Sequence, residues 1–262
     1  MTEHFPVCIG IDVDGAAPAL GRSPENAKRP VMLSEGAFEF HEGLPLLLAV
    51  LSEFEIPASF YVPGIVAEKY PEAIGNLQRR GHEIGSHGYA HRSPPLLTPE
   101  EEKSELVRGI DAVEAAIGKR PTLWRSPAWE WSERTLQLLL DEGVNVSANF
   151  HDRLRPYRHL QNGKPVPLVE LPVQWHLADN PFFFHGGQPG RVIRTAQDAQ
   201  TVWQDEFDGL YNIPGTFYHL TLHVNLIAHP GRLRMLERHL SYLKSHDRVR
   251  FMTASELADT VA

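Results

Sequence analysis

The chain has 262 residues, of which 42% are apolar and 22% are charged, and it contains one cysteine. This composition is typical of a globular protein with a sizeable core, and a single cysteine excludes an intramolecular disulfide framework. A formal net charge of −8 disfavours nucleic acid and anionic membranes as partners, because no basic patch can neutralise phosphates. The N-terminus lacks a secretory signal and no apolar stretch approaches ~20 residues, so we expect a cytoplasmic protein without a membrane partner.

Strands and helices are predicted to alternate along most of the chain. Apolar runs bounded by turn residues indicate buried strands, whereas apolar residues spaced three and four apart indicate helices. In chain order the pattern predicts a strand at 7–13, a loop at 15–37, a helix at 44–54, a strand at 58–62, a helix at 71–80, a strand at 83–86, a helix at 98–117, a strand at 122–124, a helix near 136–142, a strand at 168–171, a helix at 196–211, a strand at 216–222, a helix at 233–243 and a strand at 249–252.

This alternation predicts an α/β fold, because successive buried strands joined by helices form a mostly parallel sheet. We expect one domain over residues 1–262, a distorted barrel of about seven parallel strands with the site at their C-terminal ends. Residues 15–37 and 150–195 are rich in proline and glycine, and the second region also in aromatic residues. We therefore predict that both are loop regions over the site.

The first strand ends in two acids, Asp12 and Asp14. Residues two apart in a strand point to the same side, so both carboxylates should face the cavity at the strand end. Two carboxylates at one site need a cation or a proton between them. The alternative is a solvated turn, since Asp14 and the glycine after it also suit a turn.

Two histidines, His87 and His91, follow the predicted strand at 83–86. A spacing of four would bring both imidazoles to one face of a helical turn, which suits a divalent metal. A zinc-protease site is disfavoured, because that motif needs glutamate where this chain has Gly88. Chance occurrence is the alternative, since the chain has 14 histidines.

Other polar residues follow predicted strands as well. His223 ends the strand at 216–222, and a hydrogen-bonded structural histidine is its ordinary interpretation. Arg125 follows the strand at 122–124, where it would orient a neighbouring carboxylate and lower its pKa unless it is a surface residue. Several aromatic residues are candidates for the wall of a substrate pocket, although most aromatic residues belong to a core; these candidates are Trp129, Phe182, Phe183 and Phe184.

Taken together, these motifs resemble a known family. The order Asp-x-Asp, His-x-x-x-His, Arg-x-Pro and Leu-x-Leu-His is similar to that of the polysaccharide deacetylase (NodB-homology) superfamily, which includes carbohydrate esterase family four. Within it, the chain most resembles the intracellular branch, with the Helicobacter-type peptidoglycan deacetylase and the allantoinase-like and cyclic-imidase members. The resemblance covers roughly residues 5–260 and implies a NodB-like, distorted (β/α)7 barrel.

The resemblance also implies roles for the residues above. Asp14, His87 and His91 match the metal ligands of the family, and the metal is expected to be zinc, although nickel, cobalt or iron suit the same ligands. Asp12 matches the general base, Arg125 the arginine that orients it, and His223 the general acid. Two departures bear on the substrate: Val13 separates two aspartates that are adjacent in the secreted enzymes, and Trp129 stands where a glycine usually follows Arg-x-Pro.

Three functions remain open from the sequence. The first is metal-dependent hydrolysis of a non-peptide carbon–nitrogen bond, with N-deacetylation of an N-acetylated sugar or related amide. The second is hydrolysis of a cyclic imide or an allantoin-like ureide in a confined pocket, closed with the help of a neighbouring subunit if the protein is a homo-oligomer. The third is a non-catalytic carbohydrate-binding module, which the presence of a complete set of acid, base and ligand residues disfavours.

Overall fold

The structure is a computed structural model that describes residues 4–185 and 191–261. Within these residues the chain forms nine strands and twelve α-helices, with short 3-10 turns and one π-helical segment (Glu39–Gly43) between them. In chain order the elements are β1 (Phe5–Asp12), α1 (Ala17–Arg22), α2 (Pro30–Phe38), α3 (Leu44–Glu53), β2 (Ser59–Val62), α4 (Gly64–Lys69), α5 (Pro71–Arg79), β3 (Glu83–Ser86), α6 (Pro99–Ile117), β4 (Leu123–Trp124), α7 (Thr135–Asp141), β5 (Val146–Ser147), β6 (Tyr157–Gln161), β7 (Lys164–Glu170), α8 (Asn180–Phe183), α9 (Ala196–Tyr211), β8 (Tyr218–His223), α10 (Val224–Ile227), α11 (Pro230–Lys244), β9 (Val249–Met252) and α12 (Ala254–Ala258).

Seven strands lie side by side in parallel, in the order β7, β5, β4, β3, β2, β1 and β8. β9 runs parallel to the first half of β1, whereas β6 pairs with β7 in the antiparallel direction. A parallel bridge between Ala178 and Thr221 joins the chain after β7 to β8, at the other end of the row. The prediction of one α/β domain with a mostly parallel sheet is confirmed.

The register of the sheet determines where the polar residues lie. Asp12 at the end of β1 is paired with Tyr61 of β2 on one side and with His223 of β8 on the other. Ser86, the last residue of β3, is paired with Trp124, the last residue of β4. Because parallel strands end at the same edge, the residues that follow these ends are brought together there.

Residues 15–37 are not the loop that the sequence predicted. They contain α1, a 3-10 turn at Pro24–Lys28 and most of α2. Each of the three prolines in this region lies in the first turn of a helix, where its fixed φ and missing N–H are tolerated. These prolines begin helices here and do not interrupt them. We call residues 17–38 the helical wall.

The region 150–195 also contains more regular structure than predicted. β6 and β7 form a hairpin whose tip is Asn162 and Gly163, with φ values of 51° and 75°. An Asn-Gly pair with two positive φ angles is the favoured two-residue hairpin turn, and this sequence signal was missed. A 3-10 turn at Trp175–Leu177 and α8 follow. Residues 186–190 of the predicted loop lie outside the described residues.

Local sequence features account for several details of the fold. Thr98 and Glu101 form a capping box at the start of α6, and Gly118 ends that helix with a φ of 72°. Cys8 is fully buried, and burial raises the pKa of its thiol to about 12. In the part of the chain that the structure describes, every helix is too short or too polar to cross a membrane.

Candidate active site

Two buried carboxylates lie at the end of β1. Asp12 is 2% exposed, and its Oδ1 accepts a hydrogen bond from Arg125 Nη1 over 2.6 Å. Burial alone would raise the pKa of Asp12, but the Arg125 guanidinium above all, with the neighbouring His87 and His223 side chains, lowers it below its ordinary value. Burial, reinforced by the nearby Asp12 carboxylate, raises the pKa of Asp14. The two acids therefore differ in character, since Asp12 is held as an anion.

The loop between β3 and α6 presents both histidines. Residues 87–91 are irregular, so the expected helical turn is wrong: Gly88 and His91 have positive φ angles of 70° and 57°. The Glu105 carboxylate of α6 accepts hydrogen bonds from the backbone N–H groups of Tyr89 and Ala90. A Cβ on Gly109 of the same helix would lie 2.4 Å from the Gly88 oxygen. The loop is thus clamped by α6, and the clamp fixes both imidazoles.

Asp14, His87 and His91 converge as a candidate metal site. Their ligand atoms lie within 4.8 Å of one another, with Asp14 Oδ1 3.6 Å from His87 Nε2 and 3.8 Å from His91 Nε2. Burial lowers the pKa of His87 and, to about 4, that of His91, so both rings are neutral at pH 7. His87 Nδ1 lies 2.8 Å from the Arg125 carbonyl oxygen. A donor hydrogen bond there leaves Nε2 free to act as a ligand.

Arg125 is held rigidly beneath Asp12. Its guanidinium is fully buried and lies over the Tyr61 ring at 3.8 Å, with Nη2 3.2 Å from His219 Nε2. A Cβ on Gly10 of β1 would lie 2.7 Å from Arg125 Nη2, so only glycine leaves room for this side chain. The predicted pairing of Arg125 with Asp12 is therefore present and supported on three sides.

His223 faces the same carboxylates from β8 and is held by an acid that the sequence analysis missed. Its Nε2 lies 3.6 Å from Asp12 Oδ2, and its Nδ1 lies 2.7 Å from Asp179 Oδ1. Asp179 Oδ2 also accepts the backbone N–H of His223. Burial alone would lower the pKa of His223, but the Asp179 and Asp12 carboxylates raise it to about 10. The imidazolium is thus available as an acid at neutral pH.

A cavity of about 980 Å³ opens above these residues. It is lined at its base by Asp12, Asp14, His87, His91 and His223, and on one side by the helical wall. Trp129 and Phe184 line it as predicted, and the ring of Trp175 lies tilted against that of Trp129, with 4.4 Å between the ring centroids. Ala128 and Trp129 both have positive φ angles, an unfavourable conformation that orients the indole of Trp129.

Two of the predicted pocket residues do not line this cavity. Phe183 is 2% exposed and belongs to the main core, and Phe182 packs against the core with its ring edge-on to Trp203. The three consecutive phenylalanines lie at the C-terminal end of α8, where successive side chains point in different directions. The prediction that Phe182 and Phe183 form the wall is therefore wrong.

Comparison with known proteins identifies the family. Residues 31–147 match the model of a family described as polysaccharide deacetylase. The crystal structure of a putative polysaccharide deacetylase from Mycobacterium smegmatis is 33% identical, with a TM-score of 0.92 over 99% of this chain and 91% of that one. The chain belongs to the polysaccharide deacetylase family. This is a family of hydrolases that act on carbon–nitrogen bonds other than peptide bonds.

Two further relatives cover almost the whole chain. The peptidoglycan deacetylase of Helicobacter pylori is 29% identical, in an alignment that covers 99% of this chain and 97% of that protein. The structure of an allantoinase superposes with a TM-score of 0.84 over 97% of this chain and 89% of that one, at 22% identity. The second likeness shows a shared fold, and the family resemblance inferred from the motifs is confirmed.

Proposed function

We propose that this protein is a metal-dependent N-deacetylase that hydrolyses the acetamide of an amino sugar or a related small amide. The observation that carries the proposal is the meeting of Asp12, Asp14, His87, His91 and His223 at the base of one cavity. Metal-dependent hydrolysis needs metal ligands, a base and an acid. The carboxylate and two imidazoles of Asp14, His87 and His91 can serve as ligands, the Asp12 anion as the base and the His223 cation as the acid.

The residues present fit a divalent metal. Asp14 Oδ1 is buried without a hydrogen-bond partner among residues 4–185 and 191–261, which is costly for a carboxylate unless a cation lies against it. Two neutral imidazoles complete a set of three ligands, with room for water or substrate on the cavity side. We propose zinc, because nitrogen and carboxylate ligands suit it. A divalent metal at this position supplies Lewis-acid polarisation of the amide carbonyl and a lower pKa for water.

The remaining residues are assigned to proton transfer. Asp12 is ionised and faces the cavity, so it accepts the proton of the attacking water. Arg125 holds the Asp12 carboxylate in place and keeps it anionic. His223 is protonated and donates to the leaving nitrogen, while Asp179 fixes the ring and its charge. Each proton-transfer group is expected to contribute roughly 10²–10⁴ in rate.

A cyclic imide or ureide hydrolase is the second candidate. It is favoured by the helical wall, which borders the mouth of the cavity with short fixed helices. The volume of about 980 Å³ is at the upper end for small-molecule pockets, so it accommodates a sugar as readily as a ring. We place the sugar amide first because relatives of this chain are named deacetylases. The homo-oligomer, the cytoplasmic location and the lack of nucleic-acid or membrane partners stay predictions.

The test combines metal content with a substrate screen. Wild-type protein and a His87→Ala/His91→Ala variant are compared by elemental analysis, and we expect about one zinc per chain in the wild type only. Both are assayed on N-acetylglucosamine oligomers, hydantoin and succinimide. Equal metal in the two proteins would refute the site. Turnover of the rings alone would replace the deacetylase by the second candidate.

A further inference from the structure

The helical wall carries two arginines that have no carboxylate partner in the described structure. Arg22, at the end of α1, and Arg29, just before α2, both line the cavity. Among residues 4–185 and 191–261, neither has a carboxylate oxygen within 4 Å. By contrast, Lys28 between them is paired with Glu25 at 2.8 Å. The positive charge is thus left on the cavity side of the wall.

Close backbone contacts fix the position of this charge. A Cβ on Gly21 would lie 2.2 Å from the Ala90 carbonyl oxygen, so α1 packs directly on the loop that carries His91. Arg22, the next residue, is therefore placed beside the proposed metal site. Asn26 connects α1 to Arg29. Its side-chain amide group donates a hydrogen bond to the Ala19 carbonyl, and its side-chain oxygen lies 3.4 Å from Arg29 Nη1.

The acids of the cavity do not neutralise this pair. The Asp12 and Asp14 carboxylates face Arg125 and the histidines, and Glu35 is the remaining acid among the lining residues. In a chain of net charge −8, two arginines without an acid partner at a pocket are suited to an anion that the substrate brings. A guanidinium binds a carboxylate in a planar, two-bond geometry, and two of them can hold one from both sides.

We infer that Arg22 and Arg29 form an anion-binding subsite, and that the substrate is an acetamide whose other end carries a carboxylate. This inference rests on the proposed deacetylase function. Arg22 and Arg29 contact the far end of the substrate and set specificity, whereas Asp12 and His223 act on the amide. Asn180 and Asn225, which also line the cavity, offer neutral hydrogen bonds to the sugar hydroxyls between the two ends.

The test uses two compounds that differ by one charge: N-acetylmuramic acid and its methyl ester. We expect wild-type kcat/KM to favour the acid by about ten-fold or more, as a charge-assisted pair predicts. Arg22→Gln and Arg29→Gln should each lower that ratio, and the double variant should bring it close to one. The matched control is Arg250→Gln. Arg250 is exposed on β9, beside the start of β1 and so at the edge of the sheet away from the cavity, and its substitution should keep the wild-type ratio.

Binding of both compounds is also measured by calorimetry, so the inference is tested even if neither is hydrolysed. Tighter binding of the acid to the wild type, lost in the double variant, supports the subsite. Equal affinities for acid and ester, or no binding of the acid, would overturn it. Hydrolysis of both compounds at equal rates would overturn the subsite and leave the deacetylase standing. If zinc-loaded protein binds the acid but does not hydrolyse it, the deacetylase function is overturned and the subsite stands.

Discussion

The floor of the cavity and its helical wall are constructed in different ways. The floor consists of Asp12, His87 and His223, with Arg125 buried beneath Asp12, and these residues stand at or directly after the ends of β1, β3, β8 and β4. Its geometry follows from backbone pairing within the sheet. The wall, residues 17–38, has no sheet to fix it and is attached by two close backbone contacts, at Gly21 and Gly36.

This difference separates chemistry from specificity. A floor held by sheet register can keep its acid, base and ligands in place while the residues above it change. A wall held by a few small residues can carry different side chains toward the same reacting groups. The proposed anion subsite on the wall and the proposed proton-transfer groups of the floor follow this division.

The strongest test of the floor is Asp12→Asn. The amide keeps the shape of the side chain but cannot accept the proton, so turnover should fall by roughly 10²–10⁴. Zinc content should stay at the wild-type level, because the ligands proposed are Asp14, His87 and His91. Steady-state kinetics and elemental analysis on the same preparation measure both. Loss of the metal together with activity would show that Asp12 is a ligand and not the base.

The attachment of the wall is tested by Gly36→Ala. A Cβ there would lie 2.3 Å from the backbone carbon of Gly15, next to Asp14, so either the helix or the Asp14 turn must shift. Overpacking of this kind costs about 1–3 kcal/mol, and we expect lower thermal stability with roughly ten-fold weaker zinc binding.

Gly209→Ala on α9 is the control for that substitution, since nothing lies within 4 Å of its Cβ position. An alanine inside a helix should raise stability there by about 0.5–1 kcal/mol. If Gly36→Ala behaved like Gly209→Ala in melting temperature and zinc affinity, the wall would not be coupled to the floor.

The same division explains which parts could be predicted from sequence. Asp12, His87, Arg125 and His223 were found because each follows an apolar run, and the ends of parallel strands share an edge. The wall was predicted as loop because its prolines were interpreted as breakers, although all three begin helices. Asp179 was missed because a lone acid before Asn-Pro has no distinctive spacing. Its role depends on a partner 44 residues away.

Asp179→Asn tests whether the Asp179 carboxylate raises the pKa of His223, the proposed acid of the floor. His223 has a raised pKa of about 10, so the protonated form is present below that value and is lost as pH rises through it. An asparagine keeps the shape of the side chain but lacks the charge, and its one carbonyl oxygen replaces only one of the two acceptor oxygens that bind His223, so the pKa of His223 should fall. The alkaline limb of the pH–rate profile should move to lower pH, with roughly ten-fold more activity lost at pH 9 than at pH 6.

Asp205→Asn provides the control. Asp205 is exposed on α9, and its substitution should leave the pH–rate profile unchanged. A uniform loss of activity at every pH in Asp179→Asn, with no movement of the limb, would assign Asp179 to positioning alone. In that case the protonation of His223 would have to depend on Asp12.

The smallest effect concerns Glu39, the residue that directly follows the helical wall. This residue begins the π-helical segment and is fully buried, and within the described part of the chain neither of its carboxyl oxygens has a hydrogen-bond partner. Burial, with the Asp14 carboxylate nearby, raises its pKa well above the ordinary value of 4.5. The folded protein therefore keeps a proton that the unfolded chain releases, so stability falls as pH rises above about 4.5.

Glu39→Gln removes this pH dependence while preserving the shape of the side chain. In chelator-treated protein we expect a melting temperature a few degrees above wild type at pH 8, and no difference near pH 4.5, because about 1 kcal/mol corresponds to roughly 2–4 °C in a chain of this size. Glu35→Gln, one turn earlier and exposed, should change neither value. A lower melting temperature for Glu39→Gln at pH 8 would mean that Glu39 is ionised and paired. The segment that follows the wall would then contribute a charge next to the floor, and the separation between the two regions would no longer hold at this residue.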